Sequence, residues 1–396
     1  MAAKKAGKQA IQRNVYALGA VSFLTDISSE MIFPLIPLFV TTILGAGAHV
    51  LGVIEGIADS AASLMDIFVG YFSDKAGERK KFVTAGYGIS AITKVGIALS
   101  TTWWHVLLMR GTERVGKSIR TSPRDAMIAE STPKELRGKA FGLHRAMDTA
   151  GAIIGPLLAL AILSAIGSTE PGYRAVFYAS LIPAFLAVLV IFLFVREPKK
   201  DAVNPVAKRP SFWESLRQTT REYRAFLSVS ALFSLAYFSF AFLIVRAADL
   251  GVSAQDVLLM YVLYNVVYAL SSIPGGMLSD RVGRKPVIAG AFIIYAAVCI
   301  GFAFATSWLH AALLFALYGV FVALDESVNK AYISDLVTEE KRGISLGAYN
   351  TLVGAVYLPA SIVAGGLWVA FGPATTFLFA AAIAVVSAIG ILVACR

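Results

Sequence analysis

Runs of roughly 20 to 30 mostly apolar residues recur along nearly the whole 396-residue chain. A helix rises about 1.5 Å per residue, so each run can cross a hydrocarbon layer about 30 Å thick. No water-soluble core could absorb so many. The composition agrees: 57% of residues are hydrophobic and 15% charged, where roughly 25% charged is usual for a soluble domain. A secreted scaffold, a fibre, a disordered chain and a cytosolic enzyme are all excluded. Cys299 and Cys395 are too few for a disulfide framework or a zinc cage.

Apolar runs set against polar breaks predict twelve spans: 14–44, 49–73, 81–100, 103–128, 139–166, 172–195, 223–248, 255–279, 286–306, 308–334, 343–371 and 374–395. The expected fold is therefore all-α and integral to the membrane. Most connections are short. The stretch 196–222 is longer and holds Lys199, Lys200, Lys208, Arg209, Arg217 and Arg221 with three prolines. It divides the chain into six-helix halves, 1–195 and 223–396.

Basic residues set the expected orientation. Twenty-five of the 35 Lys and Arg lie at the chain ends, in the linker, or in the loops on the N-terminal side. The opposite loops, such as 45–49, hold essentially none. Both termini are expected in the cytoplasm. The net charge of +10 then belongs to loops beside a lipid bilayer, and no nucleic-acid partner is expected. The first run is too long for a cleavable signal peptide, carries Asp26 and Glu30, and lacks a small-residue cleavage site.

The chain also repeats itself. Gly70-Tyr-Phe-Ser-Asp74-Lys-Ala-Gly77-Glu-Arg79-Lys80 matches Gly276-Met-Leu-Ser-Asp280-Arg-Val-Gly283-Arg284-Lys285. Arg137-Gly138 matches Arg342-Gly343, and Ala126 to Glu130 matches Ala331 to Asp335. A nearly constant offset, always on one side, points to duplicated parallel halves. With the doubled loop motif, the chain resembles the major facilitator superfamily of secondary transporters over nearly its whole length. Glu78 stands where that family usually has a basic residue.

The resemblance implies a six-plus-six fold, alternating access and solute transport. It makes the loop motif a conformational latch, with Arg120 or Arg124 as the expected partner of Asp74. The plainer reading of that loop is a positively charged anchor on anionic lipid. Arg110 and Gly116 fit the family's helix-4 pattern, which is tied to proton coupling. Gly151, Gly155 and Pro156 resemble part of the helix-5 motif of exporting antiporters, although Ala159 departs from it. Small residues at this spacing are also ordinary packing devices.

Ten basic residues lie outside the loops, and five of them share the fourth span. At about 100° per residue, Arg110, Arg114, Lys117 and Arg124 fall in an arc of about 80°, with Arg120 beside it. A charge at the bilayer centre costs about 2.5–3.5 kcal/mol on insertion scales, so a stripe needs partners. On the second span, Glu55, Asp59 and Asp66 share one face. Matched depths predict Glu55 with Arg110, Asp59 with Arg114, and Asp66 with Lys117 or Arg120. These pairs have a structural reading as well as a functional one. Asp26 and Glu30 are four residues apart on the first span. A carboxylate in a low-dielectric cavity can load and release protons near neutral pH, so Asp26, Glu30, Glu55, Asp59 and Arg110 are the proton-coupling candidates. His144 reads as a packing residue or, less simply, a proton shuttle.

In the family, helices 1, 4, 7 and 10 line the cavity. That adds Arg114, Lys117, Tyr237, Asp325, Glu326, Asn329 and Lys330 as cavity candidates. Glu326 and Lys330 also satisfy each other in an i, i+4 pair. Tyr261, Tyr264, Asn265 and Tyr268 share a face of the eighth span, and Tyr349, Asn350 and Tyr357 lie on the eleventh. They read as packing residues or as an amphipathic cavity wall. The expected division gives charge and coupling to the first half and substrate recognition to the second.

No phosphate-binding Walker loop or potassium-filter pattern is present. His49, His105, His144 and His310 have no metal-ligand spacing, and no metal or cofactor is expected. The expected function is proton-coupled efflux of a small organic solute by a monomer in the cytoplasmic membrane. The alternatives are uptake or exchange of an anionic solute, and a non-transporting sensor or lipid-handling protein.

Overall fold

The computed structural model describes residues 13–76, 78–133, 136–197, 220–338 and 342–394, with side-chain detail excluding 64, 66–76, 343, 344 and 394. Among these residues the fold is helical. The first half comprises α1 (Arg13–Ile43), α2 (Ala48–Ala76), α3 (Arg79–Ala98), α4 (Trp103–Glu130), α5 (Arg137–Ile166) and α6 (Glu170–Phe194). The second comprises α7 (Arg221–Asp249), α8 (Ala254–Val282), α9 (Arg284–Phe304), α10 (Trp308–Leu336), α11 (Arg342–Phe371) and α12 (Pro373–Ala394). Nine of these are long and apolar enough to cross a membrane; α2, α3 and α4 are not among the nine.

The duplication is visible in the packing. In the first half α1 packs on α5 and α6, α4 on α2 and α3, and α3 on α6. The second half repeats every pairing: α7 on α11 and α12, α10 on α8 and α9, and α9 on α12. Between halves α2 lies on α11 and α5 on α8, again a symmetric pair. Small details repeat too. The amide of Thr101 donates to His105 Nδ1 at 3.4 Å and that of Thr306 to His310 Nδ1 at 3.4 Å. Arg137 Nε donates to the Ala129 carbonyl at 3.2 Å and Arg342 Nε to that of Ser334 at 3.3 Å.

Local sequence explains where helices begin and break. Thr220, Ser253 and Ser307 cap α7, α8 and α10 by accepting from the amides of Tyr223, Asp256 and His310. α1 breaks after Ile32, where Pro34 supplies no amide hydrogen, and resumes at Ile36. α7 breaks at the corresponding place, between Ala236 and Ala241, and Ser239 Oγ accepts the Ala241 amide at 3.2 Å. Broken helices in a membrane protein are tolerated where the freed backbone faces protein or water. Residues of both breaks, Phe33 and Tyr237 to Phe240, line one cavity.

Large apolar side chains cover the outside, among them Ile182 and Phe192 on α6, Ile273 on α8 and Ile389 on α12. Such a surface suits lipid, where helix contacts come from close packing of small residues. At the end away from the chain termini the halves meet: residues 36–38 of α1 touch α7, and Ser168 Oγ donates to Gln255 Oε1 at 2.7 Å.

Candidate functional site

The basic stripe of α4 turns inward, and its charges are treated unequally. Arg110 is 3% exposed and Glu55 2%. Arg110 grips Glu55 with two bonds, Nε to Oε1 at 3.2 Å and Nη2 to Oε2 at 2.9 Å, while Nη1 reaches Glu113 Oε2 at 2.6 Å. The planar guanidinium suits this two-bond geometry. One turn on, Arg114 Nη2 meets Asp59 Oδ1 at 2.9 Å. Two of the three depth-matched pairs expected from the sequence are present. Arg120 has a different setting: it donates to Ser90 Oγ at 2.5 Å and lies over the Tyr87 ring at 4.4 Å. Arg124 pairs with its neighbour Asp125 at 2.9 Å. Lys117 has no carboxylate within 4 Å among the described residues. The side chain of Asp66 lies outside those residues.

The α1 carboxylates face two directions. Glu30 accepts the Tyr261 hydroxyl of α8 at 2.5 Å, across the boundary between halves. Asp26 lines the same cavity as Asp148 on α5, and Asp148 accepts the Ser22 hydroxyl at 2.5 Å. The helix-5 glycines bring α5 close against α1. A Cβ on Gly151 would lie 2.6 Å from the Phe23 carbonyl oxygen and 3.0 Å from Asp26 Cβ. One on Gly155 would lie 2.6 Å from the Ile27 oxygen and 3.1 Å from Glu30 Cβ. Pro156 is buried beside them.

The second half answers with hydroxyls and rings. Tyr268 donates to Glu326 Oε2 at 2.6 Å and accepts from Arg145, so α8, α10 and α5 join at one point. Asn265 Nδ2 donates to the Tyr261 carbonyl at 3.1 Å. Tyr264 packs between the rings of Phe240 and Tyr318, at 5.1 and 5.7 Å. Tyr237 accepts from the Tyr318 hydroxyl at 3.3 Å and lies 5.7 Å from the Tyr357 ring. Asn329 Nδ2 donates to Asp325 Oδ1 at 2.8 Å and to the Tyr349 hydroxyl at 3.1 Å. Lys330 and Glu326 pair at 2.9 Å.

These side chains enclose connected space. A void of about 60 Å³ lies among Asp26, Glu30, Lys94, Arg110, Glu113 and Lys117. Three cavities of about 330 Å³ each lie nearby, two sharing lining residues with it and the other sharing Ser63, Tyr237 and Tyr357 with one of those two. One runs from Asp59, Arg114 and Lys117 to Tyr237, Tyr318 and Tyr357. Another has Tyr237, Tyr357, Tyr349, Asp325 and Asn329. A third has Asp26, Lys117, Arg145, Asp148, Asn265 and Tyr268. That volume is within the usual range for a small-molecule site.

Four participants are absent from the candidates drawn from sequence. Glu113 escapes a search for basic stripes, although its place three residues after Arg110 marks it as a partner. Asp148 and Arg145 precede the Gly151 element by less than two turns. Lys94 is 1% exposed and donates to Ser28 and Ser29 at 2.6 and 3.0 Å. No group of three or more His, Cys, Asp or Glu among the described residues could hold a metal.

The second copy of the loop motif is well defined. Gly283 has φ +94° at the turn into α9, a conformation that favours glycine. Arg284 joins Asp280 at 2.5 Å to Asp335 at 3.0 Å. The first copy offers the matching pair, Arg79 with Glu130. Gly276, however, has no neighbour within 4 Å of a built Cβ, so close helix packing is not its role in this arrangement. Gly77, the surroundings of Gly70 and the side chain of Asp74 lie outside the described residues, as does the expected Asp74 partnership with Arg120 or Arg124.

Comparisons with known proteins agree with this architecture. The Major Facilitator Superfamily matches residues 18–247 and 224–395. An MFS-type transporter of Methanocaldococcus jannaschii is 38% identical over 388 residues, covering 96% of this chain and 95% of its own. The multidrug resistance protein MdtG of Enterobacter lignolyticus is 25% identical over 77% of this chain and 74% of its own. Among solved structures, the nucleoside transporter NupG superposes with a TM-score of 0.80 at 15% identity, covering 97% and 99% of the two chains. A bacterial homologue of the human lysosomal transporter Spinster, inward-facing and unoccupied, gives 0.73 at 18% identity over 96% and 94%. The chain belongs to the Major Facilitator Superfamily and is a multi-pass membrane transporter.

Proposed function

We propose that the protein is a proton-coupled exporter of a small organic solute, working by alternating access in the cytoplasmic membrane with both termini inside. The observation that carries the reading is the Glu30–Tyr261 hydrogen bond. A carboxylate of one half is satisfied by a hydroxyl of the other. Any rocking of the halves breaks that bond and changes how firmly Glu30 holds a proton. Asp26 and Asp148, which line one cavity about a turn from Glu30, support the reading as a second candidate pair for the proton. Export is supported by the Gly151, Gly155 and Pro156 element and by the likeness to MdtG. Orientation rests on the basic loops, and monomeric function on the self-contained cavity.

A second reading, uptake or exchange of an anionic solute, is favoured by Lys117, which faces three of the four spaces with no carboxylate within 4 Å. Reconstituted vesicles with an internal pH dye separate these readings. Solute-dependent proton movement is expected, with proton entry accompanying solute exit. Movement of both in one direction would replace export with symport. Solute flux with no proton response would remove proton coupling.

A further inference from the structure

We infer that the central cavity is built for a zwitterionic solute with an aromatic body, its cationic end at Asp325 and its anionic end at Lys117. The inference rests on the transport reading above and names the solute class for that site.

Most cavity charges cancel locally. Arg110 is taken by Glu55 and Glu113, Arg114 by Asp59, and Lys330 by Glu326. Among the described residues that line the tyrosine-walled spaces, this leaves Lys117 on one wall and Asp325 on the other without an ion pair within 4 Å. Lys117 of the first half has no carboxylate within 4 Å among the described residues. Asp325 of the second half has no ion pair there and only the Asn329 amide as a donor. The two spaces that hold these charges share Ser63, Tyr237 and Tyr357 as common lining, so one solute can bridge them.

Two unsatisfied atoms mark the same ends. Arg114 Nε, a donor next to the Lys117 wall, is buried without an acceptor. Asn329 Oδ1, an acceptor beside Asp325, is buried without a donor, and Asn329 is 3% exposed. Buried polar atoms left unpaired are costly, and such exceptions in native structures call for a ligand or water. Between the two ends the Tyr237 and Tyr357 rings, 5.7 Å apart, offer faces for an aromatic body and for the cation itself.

The test uses the purified full-length protein and three matched probes: para-(aminomethyl)phenylacetic acid, its carboxamide, and its N-acetyl derivative. They share the ring and the spacing of the two ends and carry both charges, the cation alone, or the anion alone. Binding is read by thermal shift and calorimetry, which need no transport. The zwitterion is expected to bind at least about tenfold more tightly than either singly charged form, since each lost end removes a charge-assisted hydrogen bond. Asp325→Asn is expected to abolish the preference for the amine and leave that for the carboxylate. Lys117→Gln should do the reverse. The wild-type ranking stands alone if a variant does not fold. Equal binding of the three probes, tighter binding of a singly charged form, or no binding of any would overturn the inference. A vesicle assay showing proton-coupled flux of some other solute would leave the transport reading standing while this one fell.

Discussion

The two halves share one pattern of helix pairing and hold themselves together by different means. In the first, polar groups are spent on ion pairs: Arg110 with Glu55 and Glu113, Arg114 with Asp59. In the second, the corresponding interior is a lattice of rings, from Phe233 on Phe292 at 3.8 Å to Tyr295 on Phe321 at 4.8 Å. Among the described residues, all six helices of the second half and three of the first are apolar spans by length and composition. The scaffold is therefore indifferent to the chemistry of its interior. What it requires is small residues where helices touch, and both halves supply them: Gly155 lies against the Ile27 carbonyl and Gly319 against that of Tyr264, at 2.6 and 2.7 Å from a built Cβ.

The sharpest way to break this contrast is to remove its central cation. Arg110→Gln leaves Glu55 and Glu113 buried without a counter-charge and is expected to cost about 3–5 kcal/mol, read as lost thermal stability in detergent. Substituting all three by neutral residues of similar volume should recover most of the loss. A mild single variant would show that ion pairs do not hold the first half.

Next in size is Gly155→Leu. The added side chain meets backbone at 2.6 Å, and overpacking of this kind costs about 1–3 kcal/mol. Folded yield should fall, and a cross-link engineered between α1 and α5 should weaken. Gly276→Leu serves as the control, since open space surrounds it.

Tyr261→Phe tests the boundary between halves. It removes one hydroxyl from a carboxylate and should cost about 1–3 kcal/mol in the state where the halves touch. Tyr264→Phe, which alters a ring-packed neighbour, should leave the pH dependence of transport unchanged, whereas Tyr261→Phe should displace it. Equal profiles would dissolve the distinction between the coupling tyrosine and the packing one.

The smallest effect belongs to Lys330→Met. Lys330 and Glu326 are 55% and 40% exposed, and exposed pairs of this kind contribute about 0.2–1 kcal/mol. A larger loss of stability would mean that the second half also depends on ion pairs.

Much of this was legible in the sequence because membrane helices leave few options. Span number, duplication and the Glu55–Arg110 and Asp59–Arg114 pairs followed from length, offset and angular position. Contacts that depend on how α5 and α8 cross α1 did not. Nothing in local pattern says that Glu30 meets Tyr261, 231 positions away, or that Asp148 lines a cavity with Asp26. Glu113 was hidden for a different reason. An acid inside a basic stripe looks like dilution of the stripe until its own helix neighbour, Arg110, is seen to hold it.

α2, α3 and α4, which stand outside the nine apolar spans found among the described residues, are consecutive, and α2 and α4 carry the buried Glu55–Arg110 pair; that has a consequence for how the protein is made. Each, emerging alone from a ribosome, partitions poorly into lipid by composition. Glu55 precedes Arg110 by 55 residues, so the charge that neutralises it is made only after α2 and α3. Stable insertion of α2 is therefore expected to depend on the pairing of Glu55 with Arg110.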